Sequence, residues 1–456
     1  MKEKEKDARG EFRTRLGFII ACVGSAVGMG NIWMFPYRTG EFGGSAFLIA
    51  YFIFVILLGF SGVIGEMAFG RSVKCGPIGA FTKAMEMRFG PKGRIPGKII
   101  GMIPVLGSLG IAIGYSVVVG WFLKYLWGTI SGELMQAEDM GAYFGELAVD
   151  FGSIGWHFLG LLLTFAIMLM GVSKGIEKMN KVMMPIFFIF FILLLIRVVM
   201  LPGAAEGYRY MFVPRWEELG NIQTWVYALG QAFFSLSLAG SVTIVYGSYL
   251  KKDIDVVSCA GNVALFDTCA ALLAGMVVIP AVFAFGLDVG SGPPLMFITL
   301  PAVFQQIPFG ALFAVIFFIA VIFAAVTSLM NLFETPIEAL QSELKLSRRT
   351  SVCIVALIAA AVGVFIESGD AVGGWMDAVS IYIIPLGALI AAVMFFWICP
   401  KGYAREQIQM GREKKGWKMA GAGYEVCICR HYICGLCFGN FFWRNRLIPL
   451  GKVCEK

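Results

Sequence analysis

Two short stretches hold residue types that a bilayer-spanning helix ordinarily avoids. In "SAVGMGNIWMFP", residues 25–36, Gly28 and Gly30 bracket a methionine, with Asn31 and Pro36 close behind. In "FFSLSLAGSVTIVYGSY", residues 233–249, Ser235, Ser237, Ala239, Gly240 and Ser241 crowd the centre of a second apolar run. Lipid cannot satisfy freed backbone N–H and C=O groups, so breakers at that depth must face protein or a polar cavity. Unwound backbone exposes carbonyls able to coordinate a cation, and the half-helix beyond it offers a positive N-terminus to a carboxylate. Asp267, in "NVALFDTCAALLAG", is the only charged side chain of a third apolar run. A carboxylate there is costly and marks a functional position by default. Covalent or metal-based catalysis has little to work with: the only histidines are His157 and His431, and the apolar runs hold no spaced nucleophile or metal cluster.

The elements that position these residues follow from composition. Of 456 residues, 58% are hydrophobic and 15% charged, with mean hydropathy +0.79. A soluble chain could not hide that much apolar surface, so the fold class is an all-α polytopic membrane protein embedded in a lipid bilayer. Ten spans are predicted, at about 15–38, 43–69, 99–128, 155–171, 183–201, 223–249, 256–286, 309–339, 350–366 and 375–399. Basic residues gather after even-numbered spans: Arg71, Lys74, Lys83, Arg88, Lys92, Arg94 and Lys98 after the second, Lys174, Lys178 and Lys181 after the fourth, Lys251 and Lys252 after the sixth, and Lys345, Arg348 and Arg349 after the eighth. The loop after the third span is acidic, and the one after the fifth is mixed. This pattern puts the N-terminus and residue 400 in the cytoplasm. The opening "MKEKEKDARGEFRTR" is charged and lacks the pattern of a cleavable signal. The net charge of +7 is spread over loops, which membrane topology explains without a nucleic-acid partner.

The broken runs are spans one and six, so each opens a set of five. Two-fold repetition with a broken first helix in each half is the mark of an inverted-repeat transporter. The expected organisation is a cytoplasmic segment 1–14, a five-helix repeat 15–201, an extracellular loop 202–222, a second repeat 223–399 and an atypical tail 400–456. In the tail, Arg430 and His431 interrupt what would be an eleventh apolar stretch, and Cys427, Cys429, Cys434, Cys437 and Cys454 crowd together. Zinc ligation by C-x-C, His431 and C-x-x-C would need an unusually compact spacing, so a degenerate appendage is the preferred reading. Cys22, Cys75, Cys259, Cys269, Cys353 and Cys399 are isolated and read as small core residues.

Over roughly residues 9–400 the chain resembles the neurotransmitter:sodium symporters. The resemblance rests on "RLGFIIACVGSAVGMGNIWMFPYRTGEFGGSAFLIAY", "YALGQAFFSLSLAG", "AAVTSLMNLFE" and "ELKLSRR". It implies the LeuT fold, a 5+5 inverted repeat, and two sites for co-transported Na+, with no organic cofactor. One site would use the carbonyls of Gly24, Val27 and Ala324 with the hydroxyls of Thr327 and Ser328. The other would use the Ala26 carbonyl, Asn31, Ser235 and a group near Phe266–Asp267, completed by the substrate carboxylate. The residues implied around an amino-acid substrate are Ala26, Gly30, Ile111, Tyr115, Phe234, Ser235, Ser237, Gly240, Ser328 and Leu332.

The chain departs from the family pattern in several places. Asp267 stands where an asparagine is usual and would supply the fixed charge that chloride brings elsewhere. Tyr51 and Gln231 match the chloride neighbourhood, but Ala271 lacks its hydroxyl or carboxylate. Met34 replaces the outer-gate arginine, leaving Asp377 without its usual partner. Arg9 and Tyr249 match the cytoplasmic gate, whose aspartate position is Ser342, so Glu343 or Glu334 becomes the expected acid. The implied function is sodium-coupled import of an amino acid by alternating access at the cell membrane. A substrate sensor or leak channel on the same scaffold is the alternative. Gly240, where relatives selective for small substrates carry a bulky aromatic, points to a large apolar or aromatic side chain.

Overall fold

The computed structural model describes residues 15–238, 241–289 and 293–412. Among them every regular element is helical. Six expected spans are single helices long and apolar enough to cross a membrane: Ser45–Val73, the run ending at Ser131, Glu177–Val199, Val256–Ala284, Gly310–Glu343 and Arg348–Ile366. The fourth is a shorter helix, Ile154–Leu169. The tenth runs from Gly369 to Ile398 with π-helical turns at Val379–Ile383 and Met394–Ile398. The first span is two helical pieces that meet at 48°. The sixth is also split, into Ile222–Ser235 and Val242–Ser248.

Local chemistry explains where these helices begin. Asp255 and Ser347 cap the seventh and ninth spans by accepting from first-turn N–H groups. Pro36 follows directly on the π-helical turn Gly30–Met34, inside the helical piece Gly30–Glu41. The long third and eighth spans pack against each other through the centre of the bundle. The apolar window of the third is 78% buried, against 33% for the fifth and ninth, which therefore form the lipid-facing rim. Ile189, Ile192, Leu193 and Ile196 are exposed on the fifth, as side chains in hydrocarbon should be.

His157 is a buried cross-brace: Nδ1 is 3.1 Å from Glu367 Oε1 and Nε2 is 2.9 Å from Ser116 Oγ. The stretch after residue 400 begins as part of the bundle. Helix Tyr403–Gln409 buries Ala404 and Ile408, and the buried Arg71 guanidinium donates to the carbonyls of Ile254 at 2.5 Å, Met410 at 3.1 Å, and Gln407. An exposed, charged sequence gave no hint that a cation more than three hundred residues upstream would hold it. The tail cysteines and His431 lie outside the described residues. No cluster of three or more metal-ligating side chains occurs among the described residues.

Candidate functional site

The break in the first span arises from three diverted backbone donors. Gly28 N–H donates to Asn31 Oδ1 at 3.0 Å, so it does not reach the Gly24 carbonyl four residues back. Met29 N–H donates to the Tyr115 hydroxyl at 2.8 Å, which releases the Ser25 carbonyl. Asn31 N–H turns to the Gly28 carbonyl at 3.1 Å, which releases that of Val27. A helix leaves such carbonyls without partners only where something else satisfies them. That of Ser25 accepts from Ser237 Oγ at 3.0 Å and Ser328 Oγ at 3.3 Å. The two broken spans and the eighth therefore meet at one point.

The sixth span ends its first half with Ser237 in the left-handed region, at φ 54°, and restarts after Ser241 at φ 55°. Neither is glycine, so both carry backbone strain of the kind that gathers at functional sites. Gly240 lies outside the described residues. Around the break, Asn31 Nδ2 donates to Asp267 Oδ1 at 2.7 Å, to the Asp267 carbonyl at 3.0 Å and to Ser235 Oγ at 3.2 Å. Ser235 Oγ donates to the same carboxylate at 2.7 Å, and the Tyr51 hydroxyl lies 3.5 Å from Asp267 Oδ2. All four side chains are buried. Gln231 instead reaches the Gly30 carbonyl at 2.6 Å.

On the eighth span, Thr327 Oγ1 lies 2.9 Å from the carbonyls of both Phe323 and Ala324, the back-bonding any helical threonine makes. Ser328 differs, because its hydroxyl crosses to the first span. Ala26 is buried at the end of the first half-helix. A Cβ on Gly30 would lie 2.7 Å from Phe234, and one on Gly28 would meet the Tyr115 hydroxyl and Ser328. The absence of side chains there lets the aromatic ring and the tyrosine approach the unwound backbone. Ile111 is fully buried on the same helix as Tyr115, and the Leu332 carbonyl accepts from Ser108 at 2.8 Å.

Outward of this cluster Met34 brings no charge. Arg38, one helical turn further, donates to Gln231 Oε1 at 3.1 Å and acts electrostatically on Asp377. Inward, Glu334 accepts from Tyr249 at 2.9 Å and from both terminal nitrogens of Arg348 at 2.9 Å. Glu343 is engaged elsewhere, with Lys98 at 2.5 Å. Arg9 lies outside the described residues. Of the two acids expected at a cytoplasmic gate, Glu334 is the one that meets Tyr249.

Residue matching missed Arg38 and Arg348 because each stands off the family's gate position; only their charge near a span end marked them. It also missed Asn331 and Thr335, buried below Ser328 with side-chain polar atoms that have no partner among the described residues. Their spacing of three and seven from Ser328 puts them on its helix face, a signal that was available.

Two broken helices crossing at mid-bundle, with freed carbonyls, hydroxyls and a buried carboxylate, define a membrane transporter of the LeuT fold. Its sequence matches the sodium:neurotransmitter symporter family over residues 9–145 and 146–410, and the chain belongs to that family. It is 39% identical over 327 residues to a sodium-dependent transporter of Bacillus subtilis, YhdH, covering 71% of each chain. A sodium-dependent transporter of Methanocaldococcus jannaschii is 31% identical over 432 residues, covering 89% of this chain and 85% of that one. The crystal structure of MhsT in complex with L-phenylalanine superposes with TM-score 0.85 at 32% identity, covering 95% of this chain and 99% of MhsT. The chain is a sodium-dependent transporter, and its relatives are transporters rather than enzymes.

Proposed function

We propose that the protein is a sodium-coupled symporter that imports an amino acid by alternating access, with the N-terminus cytoplasmic in the cell membrane. The observation that carries this reading is the meeting of the freed Ser25 carbonyl of the first span with the Ser328 hydroxyl of the eighth and the Ser237 hydroxyl of the sixth. One sodium would be held by the carbonyls of Gly24, Val27 and Ala324 with Thr327 and Ser328. The second would sit by Ala26, Asn31, Ser235 and Asp267, next to the substrate carboxylate. Tyr115 and the N-terminal half-helix end would orient that carboxylate, with Phe234 closing above it.

Sodium binding then favours the outward-open form and completes the substrate site. Substrate adds the contacts that permit closure, and loss of the sodium at Thr327 and Ser328 releases the inner gate. A ligand shifts such an equilibrium only by its differential affinity for the two forms. The L-phenylalanine bound to MhsT supports a large apolar or aromatic substrate here, as does Gly240. Arg38, which acts electrostatically on Asp377, supplies an outer cation that Met34 does not, which favours a gated carrier over a leak channel.

The test is uptake into proteoliposomes of purified protein. An inward sodium gradient should drive accumulation of labelled phenylalanine or leucine above the external concentration. Equilibration without accumulation would instead establish a channel or sensor.

A further inference from the structure

At the end of the bundle where the basic loops lie, a cavity of about 420 Å³ opens between helix Pro77–Phe89, the start of the third span and the end of the eighth. Four cations line it, Lys83, Arg94, Lys98 and Lys345, against two carboxylates, Glu86 and Glu343. Lys98 is neutralised by Glu343 at 2.5 Å, and Arg94 reaches Glu86 only at 4.0 Å. Lys83 and Lys345 have no carboxylate within ion-pair distance among the described residues. Thr82, also in the wall, has a buried hydroxyl with no hydrogen-bond partner among them. The cavity therefore holds surplus positive charge and an unused hydrogen-bonding group, the complement of a phosphate.

The surface next to it decides where that phosphate comes from. Ile95, Ile99, Met102 and Leu106 are all exposed on the third span. At 3.6 residues per turn they form one stripe, about 90° around the helix from Arg94 and Lys98. An apolar stripe running into the bilayer from beside a basic cavity fits acyl chains below a phosphate headgroup, and a free anion would have no use for it.

We infer that this cavity is a binding site for the headgroup of an anionic phospholipid whose acyl chains lie along Ile95, Ile99, Met102 and Leu106. The inference rests on placement in a bilayer and not on sodium coupling, so it stands or falls separately from the transport reading.

The test uses the purified full chain in neutral detergent, with thermal unfolding followed by tryptophan fluorescence. The probes are short-chain phosphatidylglycerol, phosphatidylcholine of the same chain length, and inorganic phosphate. Phosphatidylglycerol should raise the midpoint by about 3 °C or more where the other two do not. The combined variant Lys83→Gln, Arg94→Gln, Lys345→Gln should unfold at the parent midpoint without lipid and lose the rise. Lys83→Arg with Lys345→Arg should keep it, which separates charge recognition from loss of folding. An equal rise with phosphatidylcholine, or a rise retained in the glutamine variant, overturns the site. An equal rise with phosphate alone overturns its assignment to lipid.

Discussion

The Asn31 amide nitrogen lies 2.7 Å from Asp267 Oδ1, across 236 residues of chain. That contact turns the amide oxygen back toward Gly28, where it takes the N–H that would otherwise close the helix. A carboxylate on the seventh span thus helps to keep the first span open, besides supplying charge.

If Asp267 is the resident negative charge, transport by the parent should be nearly unchanged when gluconate replaces chloride. Asp267→Asn should cut uptake at least about tenfold or make it respond to chloride, since a charged hydrogen-bond network is worth about 1.5–3 kcal/mol per bond. Uptake in matched chloride and gluconate buffers measures both. Strong chloride dependence of the parent would remove the assignment.

Thr327→Val with Ser328→Ala deletes two hydroxyls at nearly constant volume. Both side chains are buried and the replacements nearly conserve their volume, so the fold should persist while sodium affinity and uptake fall more than about tenfold. Surface biotinylation confirms delivery to the membrane, and sodium titration of uptake gives the outcome. Parent-like sodium dependence would clear these residues of the role.

Glu334→Gln should weaken the inner closure, because Tyr249 and Arg348 share that one carboxylate. Breaking a buried ion pair from one side costs about 3–5 kcal/mol, enough to move a two-state equilibrium substantially. A cysteine placed on the inner half of the sixth span should then react faster with a thiol reagent applied from the cytoplasm. An unchanged rate would mean that Glu334 does not hold the gate.

Truncation separates the docked part of the tail from the rest. A chain stopped after Arg412 should transport normally at matched expression. One stopped after Pro400 should lose several degrees of thermal stability, since Arg71 forfeits two of its carbonyl partners and the packing of Ala404 and Ile408 is lost. Equal stability of the two truncations would show that the docking is dispensable. Stoichiometric zinc in the full chain, lost on Cys434→Ser, would overturn the reading of the tail as an appendage.

Gly240→Phe should shift preference toward glycine and alanine, by filling room otherwise taken by a large side chain. Burial of such a side chain is worth about 1.5–3 kcal/mol, or roughly tenfold to a hundredfold in relative affinity. Competition by a panel of amino acids reads the change. A parent that already prefers glycine, with no change in the variant, would end the pocket argument.

Several features were legible in the chain alone because their causes are local. Length and hydropathy of a run set whether it can cross a bilayer, and Gly28, Gly30, Asn31 and Ser237 announce the depth at which two runs come apart. The family pattern extended that reading to Thr327, Ser328 and Tyr115. Sequence also exposed the two gate departures, as a methionine and a serine where charges were expected.

What replaces those charges was decided only in three dimensions. Arg38 meets Gln231 across 193 residues, and Arg71 meets Met410 across 339. Neither separation carries any periodicity, since the partners belong to different helices whose rotation is set by packing throughout the bundle. The choice of Glu334 over Glu343 has the same origin: nine residues apart on one helix, they point to different sides, one to Tyr249 and the other to Lys98. A charge in a sequence declares that it needs a partner, and helix packing selects which one it receives.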